Sequence, residues 1–377
     1  MHFSSSAIAA VIAFSVVFAL ISNAVGHQSS SLKAAFVVFR HGGRSPVGTF
    51  PSDLYRNYSW IGGYGALQPK GTEQSFLLGR NLRSRYRSLL PLDGFYWTQN
   101  LYATSSSVER CVMTVQAVLA AFLKPQEDSI NIPIWWQPAT ITTIPTSEDI
   151  ILQQSRSCPK FSQEFGRILQ NPPAEFKPIS DECAGEYDYL TKQSGMTVNS
   201  WQTSILIYDA LEGEFNAGLR LPDWTKRVFP EKAKKCYGAF LRYFTATPIL
   251  KKLRGGATFT EILKVMKSKQ AKTLNPDRSL FFYSGHDLTQ VSLLDSMGML
   301  SQTTDRPDFA SAVVFELHEN KLLTDGLEVR IVYYKNWTVK TPQLLTIPGC
   351  SAPCSLTKLE QSMKAIVLDN YDTACAV

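Results

Sequence analysis

Residues 36–46 read FVVFRHGGRSP. The stretch completes a continuous apolar run, AAFVVF (34–39), rich in Val and Phe. Such a run predicts a strand buried on both faces. It ends on Arg40, His41, Gly42, Gly43 and Arg44, so a buried strand delivers two guanidiniums and an imidazole at its carboxyl end. In open α/β sheets, ligands bind at that end of the strands. Guanidiniums match phosphate oxygens bidentately and keep their charge at any working pH. Gly42 and Gly43 let the backbone turn sharply and approach an anion, and Pro46 stiffens the exit. A neutral imidazole is a competent nucleophile toward phosphorus. Alone, an Arg-His pair after a strand is ordinarily a loop surface.

A second strand of the same kind changes that reading. SLFFYS (279–284) is again continuous and apolar, and it leads into His286, Asp287 and a helix through LTQVSLLDSMGM (288–299). Two buried strands thus place His41 and His286 at the same edge of a sheet. A third arginine, Arg110, falls in the first turns of a helix that runs through Leu123, with Ser105, Ser106 and Ser107 as N-cap candidates. Anions are favoured at a helix N-terminus, and Arg110 adds charge there. Arg40, Arg44, Arg110 and His286 therefore form a candidate phosphate clamp around His41. Asp287 is the natural proton donor to a leaving alkoxide. A carboxyl beside bound phosphate resists ionising, which predicts activity favoured at acidic pH. His318, within VFELHE, reads as structural.

Competing motifs are weaker. CYGAFLR (236–242) has the C-x5-R spacing of a cysteine-dependent phosphatase, but it holds one glycine among apolar residues and reads as helix. SLTK (355–358) lies beside a probable disulfide loop, and no G-x-S-x-G occurs. No cluster of His, Asp or Glu has metal-ligand spacing, so neither a metal nor a cofactor is expected.

Strand and helix alternate in the first and last thirds, which predicts an α/β sheet. Residues 145–250 are polar and rich in helix formers. They read as an inserted helical cap domain, leaving 27–144 and 251–377 as one discontinuous α/β domain. AIAAVIAFSVVFALI (7–21) is uncharged, apolar and too short to span a bilayer comfortably. With the small residues after it, it reads as a secretory signal peptide over 1–26, and no membrane anchor follows. The seven cysteines of the 377-residue chain fit an oxidising compartment, with Cys111 the candidate unpaired thiol and Cys350 and Cys354 close enough for a local loop. Asn57 (NYS) and Asn336 (NWT) are glycosylation acceptors consistent with export. The net charge of +6 is spread along the chain, which suits small anions and argues against a nucleic-acid face.

FRHGGRSPVGTFP with YSGHDLT resembles the histidine acid phosphatases of the prostatic, lysosomal and venom type. The resemblance runs from about Lys33 to Cys375 and includes WWQPATITTIPTSEDIIL (135–152), SCPKF (157–161), RGGATFTEIL (254–263) and IPGCSAPC (347–354). It implies a phosphoglycerate-mutase-like three-layer α/β domain with an inserted, mainly helical cap, and subunits that often dimerise. It implies His41 as the phosphorylated nucleophile, Arg40, Arg44, Arg110 and His286 as phosphate ligands, and Asp287 as proton donor. Cys158 with Cys375 and Cys350 with Cys354 match family disulfides. Another family pair has no counterpart here, with Ala312 at one of its places, and Cys183–Cys236 is a candidate substitute bridge in the cap. Gly43 departs from the acidic residue usual in the animal branch. The expected function is a secreted acid phosphatase acting on small phosphate monoesters. The competing readings are an inositol-phosphate phosphatase and a secreted binding protein or allergen with reduced turnover.

Overall fold

The computed structural model describes residues 31–91, 95–96, 98–125 and 136–377. The apolar segment at 7–21 and the expected cleavage positions lie outside them. The strands are β1 (Leu32–Arg40), β2 (Leu101–Ser106), β3 (Thr142–Ile144), β4 (Leu280–Gly285), β5 (Ala312–Glu319), β6 (Leu327–Tyr334) and β7 (Gln343–Leu345). The α-helices are α1 (Pro69–Tyr86), α2 (Glu109–Phe122), α3 (Pro159–Gln170), α4 (Lys177–Ala184), α5 (Tyr187–Ser194), α6 (Trp201–Asn216), α7 (Glu231–Arg242), α8 (Pro248–Leu253), α9 (Gly255–Gln270), α10 (Asp287–Ser296), α11 (Leu356–Ser362) and α12 (Tyr371–Cys375).

All seven strands form one sheet in the order β3-β2-β4-β1-β5-β6-β7. β1 to β4 are mutually parallel, while β5, β6 and β7 run antiparallel to their neighbours. Chain length requires the antiparallel pairing of β5 with β6: residues 320–326 are too few for a parallel crossover, which needs about a dozen. β1 lies in the centre, and Ala34 through Phe39 have no exposure. Period-two alternation splits the strand between two cores. Ala34, Phe36 and Val38 join one that α9 and α10 cover through Phe259, Leu263 and Leu294. Ala35, Val37 and Phe39 join the other, which α1 and α2 cover through Leu78, Leu82, Val115 and Phe122. Each fully buried Val or Phe contributes about 1.5–3 kcal/mol, so the strand that carries Arg40 and His41 is a stiff mount.

The three serines do not cap α2. β2 pairs with β3 as far as Ser106↔Ile144, and this ladder outcompetes the capping propensity of Ser105 and Ser106. Val108 stands at the N-cap without a side-chain bond, and Ser107 binds Thr146 instead.

Residues 159–253 hold helices α3 to α8. Part of this region has its own small core around Leu190, Ile207, Leu211 and Val228, into which Phe50 also packs. Cys183–Cys236 ties α4 to α7, Cys158–Cys375 ties the start of α3 to α12, and Cys350–Cys354 closes a short loop. Cys111 is a free, buried thiol. CYGAFLR lies within α7, and its cysteine is the bonded Cys236. His318 spans Ser31 and Glu316, a structural role. Asn57 is exposed in a turn. Asn336 is half-buried, with its Oδ1 accepting from Thr338. No helix among the described residues is long and apolar enough to cross a membrane.

Candidate active site

The register Arg40↔Gly285 between parallel β1 and β4 fixes the site. His41 and His286 leave adjacent strands at the same level, with ring centroids 5.6 Å apart and planes at 76°. β2, on the far side of β4, adds Ser106, whose Oγ lies 3.1 Å from His286 Nε2.

His41 is 2% exposed, and its Nδ1 lies 2.8 Å from the Gly42 carbonyl oxygen. A carbonyl only accepts, so the ring hydrogen sits on Nδ1 and the lone pair on Nε2. Burial, then the positive charges of Arg110 and Arg40, hold the His41 pKa well below its ordinary value. Burial and Arg110 likewise lower His286 to about 3. Both imidazoles are therefore neutral, and His41 presents a free nucleophilic nitrogen.

Neither Gly42 nor Gly43 has a positive φ. Space, not turn geometry, requires them. A Cβ at Gly42 would stand 2.2 Å from the Gly71 carbonyl oxygen, and one at Gly43 would stand 2.0 Å from Asn216 Nδ2. Thus the Asn216 amide fills the place where a side chain at position 43 would begin.

The arginines converge from three elements. Arg44 forms a bidentate pair with Asp209 of α6 at 2.5 and 3.1 Å. Burial alone would raise Asp209, but Arg44 outweighs it and holds the carboxyl below its usual range. Arg110, the second residue of α2, reaches the Gly65 carbonyl at 3.4 Å. Arg40 donates to Pro307 O at 2.7 Å and lies 4.0 Å over the Phe309 ring. Its Nη2 is 3.4 Å from Glu212 and 3.3 Å from Asp287. The Nε atoms of Arg40, Arg44 and Arg110 are all buried with no hydrogen-bond partner among the described residues. A buried cationic donor left unmet is costly. Three of them near one neutral imidazole favour an oxyanion ligand.

Asp287 differs from expectation. Arg306 Nε binds its Oδ2 at 2.8 Å, while Arg306 Nη1 binds Glu212 at 2.6 Å. Burial would raise the Asp287 pKa, but Arg40 and Arg306 outweigh it and set it well below the carboxylate range. Before phosphate adds its charge, Asp287 is ionised. Cys111 Sγ is 3.7 Å from His286 Nε2, and burial pushes this thiol up to about 11, so it is a weak nucleophile.

Residues 31–334 match the family model of the histidine phosphatase superfamily (branch 2). The chain belongs to that superfamily. The prostatic acid phosphatase of Bos taurus is 31% identical over 366 residues, covering 93% of this chain and 89% of that protein. The lysosomal acid phosphatase of Pongo abelii is 29% identical over 355 residues, covering 93% of this chain and 81% of that one. The Hafnia alvei phytase solved with tartrate superposes with a TM-score of 0.66 at 17% identity, over 92% of this chain and 98% of that chain. At that identity the likeness is one of fold.

In this histidine phosphatase the expected residues Arg40, His41, Arg44, Arg110, His286 and Asp287 fall in one cluster. Asp209, Glu212 and Arg306 join them and escaped the sequence reading. Asp209 and Glu212 stand three residues apart on α6, hence on one helix face. The available signal was an aspartate inside the apolar run ILIYDAL (205–211). Arg306 lies in a loop without periodicity and left no signal.

Proposed function

We propose that this chain is an acid phosphatase that hydrolyses phosphate monoesters through a phosphohistidine at His41. The observation that carries the reading is the set of buried, unmet Nε donors of Arg40, Arg44 and Arg110 around a neutral imidazole with its lone pair on Nε2. In the first step His41 Nε2 attacks phosphorus, the ester P–O bond breaks, and Asp287 passes to the leaving oxygen a proton that it has taken from the bound phosphate monoanion. In the second, water attacks phosphorus as Asp287 takes its proton, the P–N bond breaks, and His41 is regenerated. The arginines and His286 hold the phosphoryl oxygens and neutralise the charge that spreads over them. No cofactor or metal enters the scheme. The relatives at about 30% identity are named acid phosphatases, which favours this reading over an inositol-phosphate phosphatase. The apolar leader at 7–21 and the three disulfides support export to an oxidising compartment.

The test is release of p-nitrophenol from p-nitrophenyl phosphate near pH 5 by the purified, oxidised protein. Turnover inhibited by inorganic phosphate is expected. No release would favour a binding protein. Arg110→Ala removes one charged donor, so the inhibition constant for phosphate should rise about 10- to 100-fold. An unchanged constant would place Arg110 outside the site.

A further inference from the structure

We propose that Gln74, seated by Asn216, is a positioning residue that fixes the tautomer of His41 through the Gly42–Gly43 peptide group. The inference rests on His41 being the nucleophile. The Gly42 carbonyl and the Gly43 N–H belong to one peptide plane. The carbonyl accepts from His41 Nδ1 at 2.8 Å, and the N–H donates to Gln74 Oε1 at 2.8 Å. Gln74 Nε2 in turn donates to Asn216 Oδ1 at 2.8 Å. A backbone N–H only donates, so the Gln74 amide has one orientation, oxygen toward Gly43 and nitrogen toward Asn216. The result is a head-to-tail series of dipoles that runs from α6 through α1 and the catalytic loop to the imidazole. Each polarises the next in a dry setting, where Gln74 is 1% exposed.

Other contacts hold the same loop without serving this purpose: His41 N–H donates to the Gly285 carbonyl at 3.1 Å, and Gln68 N–H to the Gly43 carbonyl at 3.0 Å, both outside the Gly42–Gly43 peptide group. Gly42 N–H donates to Thr114 Oγ1 at 3.0 Å, and Ala310 N–H donates to the His41 carbonyl at 3.1 Å. They pin the preceding peptide. Among the described residues, only the Gln74 bond acts on the peptide whose oxygen receives the Nδ1 hydrogen. If that plane rotates, Nδ1 loses its acceptor, and the tautomer with hydrogen on Nε2 becomes populated. That tautomer has no lone pair facing phosphorus.

Gln74→Met keeps the volume and removes the acceptor. It should lower kcat/KM for p-nitrophenyl phosphate about tenfold. In 15N spectra of histidine-labelled protein, the His41 signals should move from the pure Nδ1–H form toward a mixture. Gln74→Glu restores an oxygen for Gly43, and the Asn216 amide can turn to donate to it. It should return kcat/KM to within about threefold of the parent and restore the tautomer. Asn216→Ala, which adds no bulk, should lower kcat/KM about threefold and carries the test if Gln74→Met does not fold. An unchanged His41 tautomer in Gln74→Met, or in Asn216→Ala in its place, overturns the proposal whatever the rate does. Equal rate loss in the Met and Glu variants also overturns it, since that pattern means packing. A parent protein with the Nδ1–H tautomer but no turnover would instead sink the phosphatase reading.

Discussion

His41→Ala is expected to lower turnover by about four orders of magnitude or more and to abolish covalent trapping of phosphate. Arg40, Arg44 and Arg110 would still bind the ester, so the Michaelis constant should change far less than kcat. The reason is geometric. Among the groups near the arginines, His286 is also neutral, but its Nε2 is engaged with Ser106 at 3.1 Å, and Cys111 is held as a thiol by burial. Among the described histidines, only His41 pairs an Nδ1 bound to a carbonyl with an Nε2 that has no hydrogen-bond partner among the described residues. Rapid quenching with a 32P-labelled ester checks this directly. The parent should yield an acid-labile, base-stable phosphoenzyme, and the variant none. Labelled protein recovered from the variant at parental levels would mean that another residue attacks phosphorus.

The part of the site that strands deliver was legible in the chain, and the part that the helical region delivers was not. AAFVVF and SLFFYS are strands because continuous apolar runs of that length satisfy both faces of a central sheet position. His41 and His286 are neighbours because the residue after each run leaves its strand at the same register. Arg110 was placed by its nearness to the start of a helix. Asp209, by contrast, meets Arg44 across 165 residues, and no periodicity links such positions. Gln74 shares an α1 face with Gly71 and Leu78, a pattern that reads as ordinary helix packing. The serines at 105–107 misled because capping propensity is local, whereas the ladder from β2 to β3 is tertiary. Gly43 looks like a turn residue by sequence, yet its φ is not positive and its neighbour Asn216 explains it. Local rules assign elements, and the third layer of contacts then decides what polar residues inside them do.

The ionised state of Asp287 bears on where the leaving group's proton comes from. Arg306 and Arg40 hold the carboxylate at 2.8 and 3.3 Å, and its pKa lies well below the carboxylate range. At pH 5 the free enzyme therefore carries no proton there. A phosphate monoester does, because its second ionisation lies near pH ~6. The monoanion brings the proton into the site, where the phosphate charge opposes the guanidiniums and makes Asp287 a better base. Asp287 then passes the proton to the leaving oxygen. On this account kcat/KM should fall about tenfold per pH unit above about pH 6, tracking the substrate's ionisation and not that of Asp287. Asp287→Asn cannot shuttle a proton. It should slow alkyl phosphates about 10²- to 10⁴-fold, but p-nitrophenyl phosphate much less, because p-nitrophenolate departs without protonation. Steady-state rates for both esters in parent and variant, across pH 4–8, separate the possibilities. Equal loss on the two esters would remove Asp287 from the proton path and leave it a partner that only orients Arg40 and Arg306.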